Sequence, residues 1–139
     1  MTEQLYPVRL VSQSKAELEG VFVINEDEPI ADEACRLILR YSGGEITAAD
    51  LTYFHALCRI REELEVRGWR PFCYGSSRNV YPSGMCFDMG RGLQGYRRKL
   101  GQRGDLEDIV QIFDSGPDVE PVTVEEQEKF RHDWRQSLS

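Results

Sequence analysis

A chain of 139 residues, 40% hydrophobic and 29% charged, has room for one hydrophobic core and too little for two ordinary domains. Its net charge of −7 disfavours general binding to nucleic acid or to an anionic membrane, because both need a basic surface. The charge suits a partner with a basic face, and is also the ordinary balance of many bacterial cytosolic proteins.

The first element in the chain is a short strand, Pro7 to Val11, followed by the polar turn SQSKAE. Leu18 to Asn25 is a second β-prone run, ended by EDEP. Ala34 to Tyr41 gives the clearest strand: Cys35, Leu37, Leu39 and Tyr41 share one face, and Arg36, Ile38 and Arg40 the other. Ser42-Gly43-Gly44 then turns the chain into Glu45-Ile46 as a hairpin. Thr47 to Arg67 is predicted as one long helix, with Thr47 and Asp50 resembling a capping box and Gly68 as its stop. Its apolar stripe is Tyr53, Phe54, Leu57, Ile60 and Leu64. Arg59–Glu63, Arg61–Glu65 and Glu63–Arg67 are spaced as ion pairs on its wet side.

Arg70 to Gly75 reads as a strand entering a segment of irregular structure, Ser76 to Gly92. Beyond it, residues 93–100 fit either a helix or a strand by spacing, and the glycines favour a strand over 94–100. GQRGD turns the chain into a second strand near Ile109 to Phe113, and DSGPDVEP is a loop. Thr123 and Glu126 form a capping box for a final amphipathic helix carrying Phe130, Trp134 and Leu138. The expected architecture is a single α+β domain over residues 1–139: a mostly antiparallel sheet covered by one long helix, with a C-terminal amphipathic helix at an edge.

Chemistry-bearing patterns are sparse. Gly90-Arg91-Gly92-Leu93-Gln94-Gly95 matches GxGxxG, but YPSGMCFDM before it is no buried strand, which the dinucleotide mechanism needs. Tight bending or close backbone approach is the simpler use of these glycines. No two of Cys35, Cys58, Cys73 and Cys86 have zinc-site spacing, so no metal is expected. With no basic n-region and apolar h-region in MTEQLYPVRL, the expectation is a cytoplasmic protein with reduced thiols and no membrane span. A Cys–His nucleophile from Cys73 or Cys86 with His55 lacks an orienting group, and Ser83 lacks a full GxSxG elbow, so no catalytic residue and no cofactor is assigned. Arg91, Arg97, Arg98, Lys99 and Arg103, around Tyr96, form a basic cluster of the kind that blunts an edge strand.

The stretch from Trp69 to Leu100 concentrates Gly, Tyr, Arg and Asn between regular elements, where binding residues tend to lie. Tyr74, Arg78, Asn79, Tyr81 and Arg91 are of the types that supply rigid area and adaptable hydrogen bonds at recognition surfaces. A purely structural loop plugged by Tyr81 and Met85 is the competing use of the same residues.

Cys73-Tyr74-Gly75, NVYPSGM (Asn79 to Met85), MGRGLQGY (Met89 to Tyr96), DIVQIFD and the TVEEQxxF…W tail together resemble a group of small uncharacterised bacterial proteins similar to the toxin-neighbouring immunity class. The resemblance covers Ile46 to Leu138 and brings no catalytic residues. It implies a non-catalytic cytoplasmic inhibitor that binds and blocks a cognate toxin domain. The alternatives are a small enzyme or nucleotide-binding domain using residues 90–95, and a structural or regulatory protein that assembles through its loop.

Overall fold

The computed structural model describes residues 3–25 and 35–139. Four strands, β1 (Glu3–Val11), β2 (Glu17–Asn25), β3 (Cys35–Tyr41) and β4 (Gly44–Asp50), make consecutive antiparallel pairs. β5 (Arg70–Pro71) adds two residues beyond β1, giving the order β4-β3-β2-β1-β5. The expected alternation is present: Val8, Leu10, Phe22, Ile24, Cys35, Leu37, Leu39 and Ile46 are buried in one cluster, while Arg40 is exposed. The hairpin pairs Tyr41 with Gly44 and Leu39 with Ile46. Ala34 and the EDEP segment lie outside the described residues.

α1 (Tyr53–Val66) lies over this sheet and buries Tyr53, Phe54, Leu57, Ile60 and Leu64 as the spacing predicts. It has 14 residues, not the 21 expected from Thr47 to Arg67, and the C-terminal helix is equally long. Thr47 to Asp50 belong to β4, facing Ile38 to Cys35. Sheet pairing outweighs the modest helix propensity of TAAD. The helix starts at Thr52, whose Oγ1 accepts from His55 N at 3.1 Å. Gly68 closes it with φ 85°, donating to Glu65 O.

The chain after Pro71 builds a second, smaller sheet. β6 (Val80–Tyr81), β7 (Gln94–Arg97) and β8 (Ile109–Gln111) pair in that order, all antiparallel. Residues 76–92 are therefore not irregular throughout. They contain the end of a 3-10 turn (Tyr74–Ser76), β6, and a short helix α2 (Gly84–Gly90). Ile112 and Phe113, just beyond β8, enter the core of the large sheet, where the Phe113 ring lies 4.8 Å from Tyr6 and 5.0 Å from Phe22. α3 (Val124–Ser137) opens with the expected capping box of Thr123 and Glu126. The result is a small α+β domain with antiparallel sheets and three helices among the described residues.

Candidate functional site

The segment from Cys73 to Tyr96 is fixed from beneath by a buried polar clasp. Arg61 on α1 is 1% exposed, not on the wet side as its spacing to Glu65 suggests. Its Nη1 donates to Gln127 Oε1 (2.6 Å) and Gly75 O (3.1 Å), and its Nη2 donates to Val122 O (3.0 Å). The amide of Gln127, on α3, shares its hydrogens among the carbonyls of Gly75, Ser77 and Val80 at 2.9–3.0 Å. Among the described residues these partners are all uncharged. Burial depresses the Arg61 pKa, and burial pushes the neighbouring Cys58 thiol up to about 11, so the thiol supplies no counter-ion. Gly75 fits against α1 because it lacks a Cβ, which would meet Leu57 Cδ2 at 2.5 Å. Sequence spacing offers no signal for this clasp, whose central pair is 66 residues apart.

The side chains of four of the five candidate recognition residues make internal hydrogen bonds or ion pairs. Tyr74 is buried and its hydroxyl donates to Asp118 Oδ1 (2.6 Å). That bond lowers the Asp118 pKa, and Asp118 also holds Arg97 at 3.2 Å. Arg78 is half-buried and pairs with Glu120 (2.8 Å) and Glu126 (3.7 Å). Asn79 is half-buried, donating to Arg98 O and accepting from Ser77 Oγ, both at 3.3 Å. Tyr81 packs edge-on to Phe54 and Phe87, donates to Glu128 Oε1 (3.0 Å) and lies under Arg131. Arg91 alone of the five is exposed. Its φ of 52° ends α2, and its carbonyl accepts from Tyr53 N (2.8 Å).

The glycine-rich hexapeptide runs from the last residue of α2 into the start of β7, so it leads from a helix into a strand, the reverse of the dinucleotide arrangement. Gly92, at φ 74°, brings the backbone so close to the start of α1 that a Cβ would stand 2.9 Å from Thr52 Cβ and 3.1 Å from Phe54 N. The basic cluster is not an edge either, because β7 is the central strand of its sheet. Arg97 serves Asp118 and Glu107 O, while Arg98 stacks between Tyr96 and Trp134 at 5.0 and 4.2 Å. All four cysteines are free thiols. His55 Nδ1 bonds Thr52 Oγ1 (2.7 Å) and its ring stacks on Phe87, a packing role. Among the described residues no three His, Cys, Asp or Glu gather as a metal site, and no helix is long and apolar enough to cross a membrane.

What the segment leaves outside is α2. Ser83 caps it, accepting from Cys86 N (3.2 Å), and Cys86 and Phe87 face inward. Met85 and Met89, four residues apart, face out at 70% and 81% exposure. Between them and Leu106, itself 77% exposed, runs an open cleft of about 460 Å³ floored by Cys86, Leu93, Tyr96 and Ile109. The lining is chiefly apolar, and its polar side chains are Ser83, Gln94, Gln111 and the Tyr96 hydroxyl. Methionines at helical spacing between two glycines were the available sequence signal, obscured by the glycines that flank them. In comparisons with known proteins, the chain matches no family model and no curated protein.

Proposed function

We propose that this chain is a non-catalytic cytoplasmic binding protein that occludes a bacterial toxin domain, as immunity-type inhibitors do, and that its contact face is the outer side of the β6–α2–β7 unit. One observation carries this reading. The motif residues VYPSGM and MGRGLQGY fold as one strand–helix–strand unit, whose inward side packs on Phe54 and bonds Gln127 and Glu128, and whose outward side presents Met85, Met89 and an apolar cleft. Monomers seldom leave such side chains together in water unless something covers them. Within this reading Arg91, exposed at the end of α2, is an anchor at the rim, and Arg78 a second cation on the same segment. Tyr74, Asn79 and Tyr81 hold the surface in shape from behind, through the bonds to Asp118, Arg98 and Glu128. The charge of −7 supports a basic protein partner over a nucleic acid.

The test is co-expression with the toxin encoded by the adjacent gene. Wild type is expected to protect cells and to co-purify with the toxin domain. Met85→Glu/Met89→Glu is expected to lose both while melting at the wild-type temperature, since neither side chain packs in the core. Full protection by a folded double variant, or no toxin gene beside this one, overturns the assignment.

A further inference from the structure

We infer that the outer edge of β4 receives an extended basic segment of a partner chain, paired as a sixth strand of the large sheet. This is independent of the toxin assignment and of the cleft beside α2. Of the large sheet's two outer strands, β5 is closed to such pairing: it has two residues, and one is Pro71, which has no N–H to give. β4 has seven, and among the described residues no strand pairs with its far side. Its pairing with β3, from Tyr41 with Gly44 to Cys35 with Asp50, skips no residue, so no bulge turns the edge away. In an antiparallel ladder alternate residues aim N–H and C=O outward, which leaves a row of both on the free side of β4. Natural edges are commonly blunted by Pro, Lys or an inward-pointing charge, and GEITAAD holds no Pro and no Lys. Its two acids are tied back into the chain, Glu45 to Arg40 at 3.1 Å and Asp50 to Arg59 at 2.7 Å. What remains along the rim is Thr47, Ala48 and Ala49, small enough for another backbone to approach.

The groove beside that edge selects the segment. Arg59, Glu62 and Glu63 of α1 form one wall of a groove of about 460 Å³, and Ile46 to Ala49 form the other. Side chains of an added strand alternate, so every second one falls into this groove. Arg59 is engaged by Asp50, while Glu62 and Glu63 are exposed and make no ion pair among the described residues. Two open carboxylates beside a free strand suit Lys or Arg at alternate positions of the incoming segment. Arg36 and Arg40 do not offset them, because the alternation of β3 turns both to the opposite face of the sheet, where Arg40 holds Glu45. Arg67, one turn beyond Glu63, bonds the Tyr41 hydroxyl. A second copy fits poorly. Two-fold pairing over the whole of β4 sets two α1 helices side by side, with Glu62 and Glu63 of one against the same carboxylates of the other. A helix cannot satisfy the row of backbone groups, since its own are spent internally.

The experiment titrates the full chain with three fluorescent peptides of about nine residues: alternating Lys and Thr, alternating Glu and Thr, and the Lys/Thr sequence with each central backbone nitrogen methylated. Methylation removes the donors on both edges of the peptide and keeps every side chain and charge. The Lys/Thr peptide is expected to bind, read by anisotropy, and to slow hydrogen exchange at alternate amides between Gly44 and Asp50. The Glu/Thr and methylated peptides are expected to bind at least about tenfold more weakly. Glu62→Lys/Glu63→Lys should reverse the preference between Lys/Thr and Glu/Thr at an unchanged melting temperature, since both residues are exposed. Met85→Glu/Met89→Glu should leave that preference intact. No binding of the Lys/Thr peptide at millimolar concentration, equal binding of the methylated one, or exchange protection that spares β4 overturns the proposal. A wild-type dimer with its β4 amides already protected overturns it too, and assigns the edge to a second copy. Toxin protection enters none of these outcomes, so the two readings fail separately.

Discussion

From Glu3 to Val66 the buried side chains of the described residues are hydrocarbon, sulfur or aromatic, apart from Thr52 and Arg61. From Arg70 onward apolar burial continues, with Ile112 and Phe113 in the main core and Val80 and Val119 in a second cluster, and polar groups join it: Gln127 on three carbonyls, Tyr74 on Asp118, Tyr81 on Glu128, Arg98 between two aromatic rings. α3 makes the contrast plain, since its one buried residue is Gln127, with Phe130, Trp134 and Leu138 only half covered. Apolar burial is non-directional and holds the first region by area. Hydrogen-bonded geometry holds the second in one register, and an acceptor left dry there costs about 1–3 kcal/mol.

The largest test of that contrast is Arg61→Ala, which strands Gln127 Oε1 and the carbonyl of Val122, while Gly75 O keeps the Gln127 amide. Two dry acceptors and a cavity give an expected loss of about 3–6 kcal/mol in the denaturation midpoint analysis. Gln127→Ala should couple to it by about 0.5–3 kcal/mol in a double-mutant cycle, as members of one network do. Additive losses would mean that the clasp is two separate packing contacts. Leu57→Ala probes the apolar side and should cost about 2–5 kcal/mol, being fully buried between the sheet and Gly75. Should Leu57→Ala leave the midpoint unmoved, the two regions would not differ as described.

Gly92→Ala comes next. A left-handed backbone and a Cβ pressed on Thr52 predict a loss of about 1–3 kcal/mol, measured by thermal melt, and a weaker seat for α2 on α1. Thr123→Ala removes the α3 cap and should cost about 1 kcal/mol. The smallest effect is confined to alkaline solution. Burial, and then the Glu128 carboxylate, raise the Tyr81 phenol from 10.0 to about 12. The unfolded chain therefore releases this proton first, and stability falls as pH rises from about 10 to about 12. The bond to Asp118 raises the Tyr74 phenol as well, so phenolate absorbance should show two tyrosines titrating late, and Tyr81→Phe should remove the step near pH 12 with its share of the decline.

The same contrast explains what was legible beforehand. Strands β2 and β3, the Pro7–Val11 part of β1 and the stripe of α1 follow from periodicity, whereas Glu3 to Tyr6 extend β1 beyond the expected strand. The α3 capping box was legible because its partners are three residues apart. Thr47 to Asp50 were misassigned because a local capping pattern carries no information about the strand that pairs with them. Arg61 was placed in water by its spacing to Glu65, and its true partner lies 66 residues on. The candidate segment was found from its composition, but composition cannot tell which side of Tyr74, Tyr81 or Met85 faces the solvent. α2 went unseen because glycines at both ends mask a two-turn helix.

The clasp also sets an order of events during synthesis. β1 to β4 and α1 are present once residue 66 has emerged, and Ile112 and Phe113 then close the core they share. Until Gln127 arrives, the guanidinium of Arg61 keeps its water, because burying it without those acceptors is costly. The carbonyls of Gly75, Ser77 and Val80 wait on the same amide. The outward face of α2 is thus assembled last, after the C-terminal helix leaves the ribosome. A nascent chain stalled before Thr123 lacks the amide that fixes residues 75–80, and the outward face of α2 waits on it.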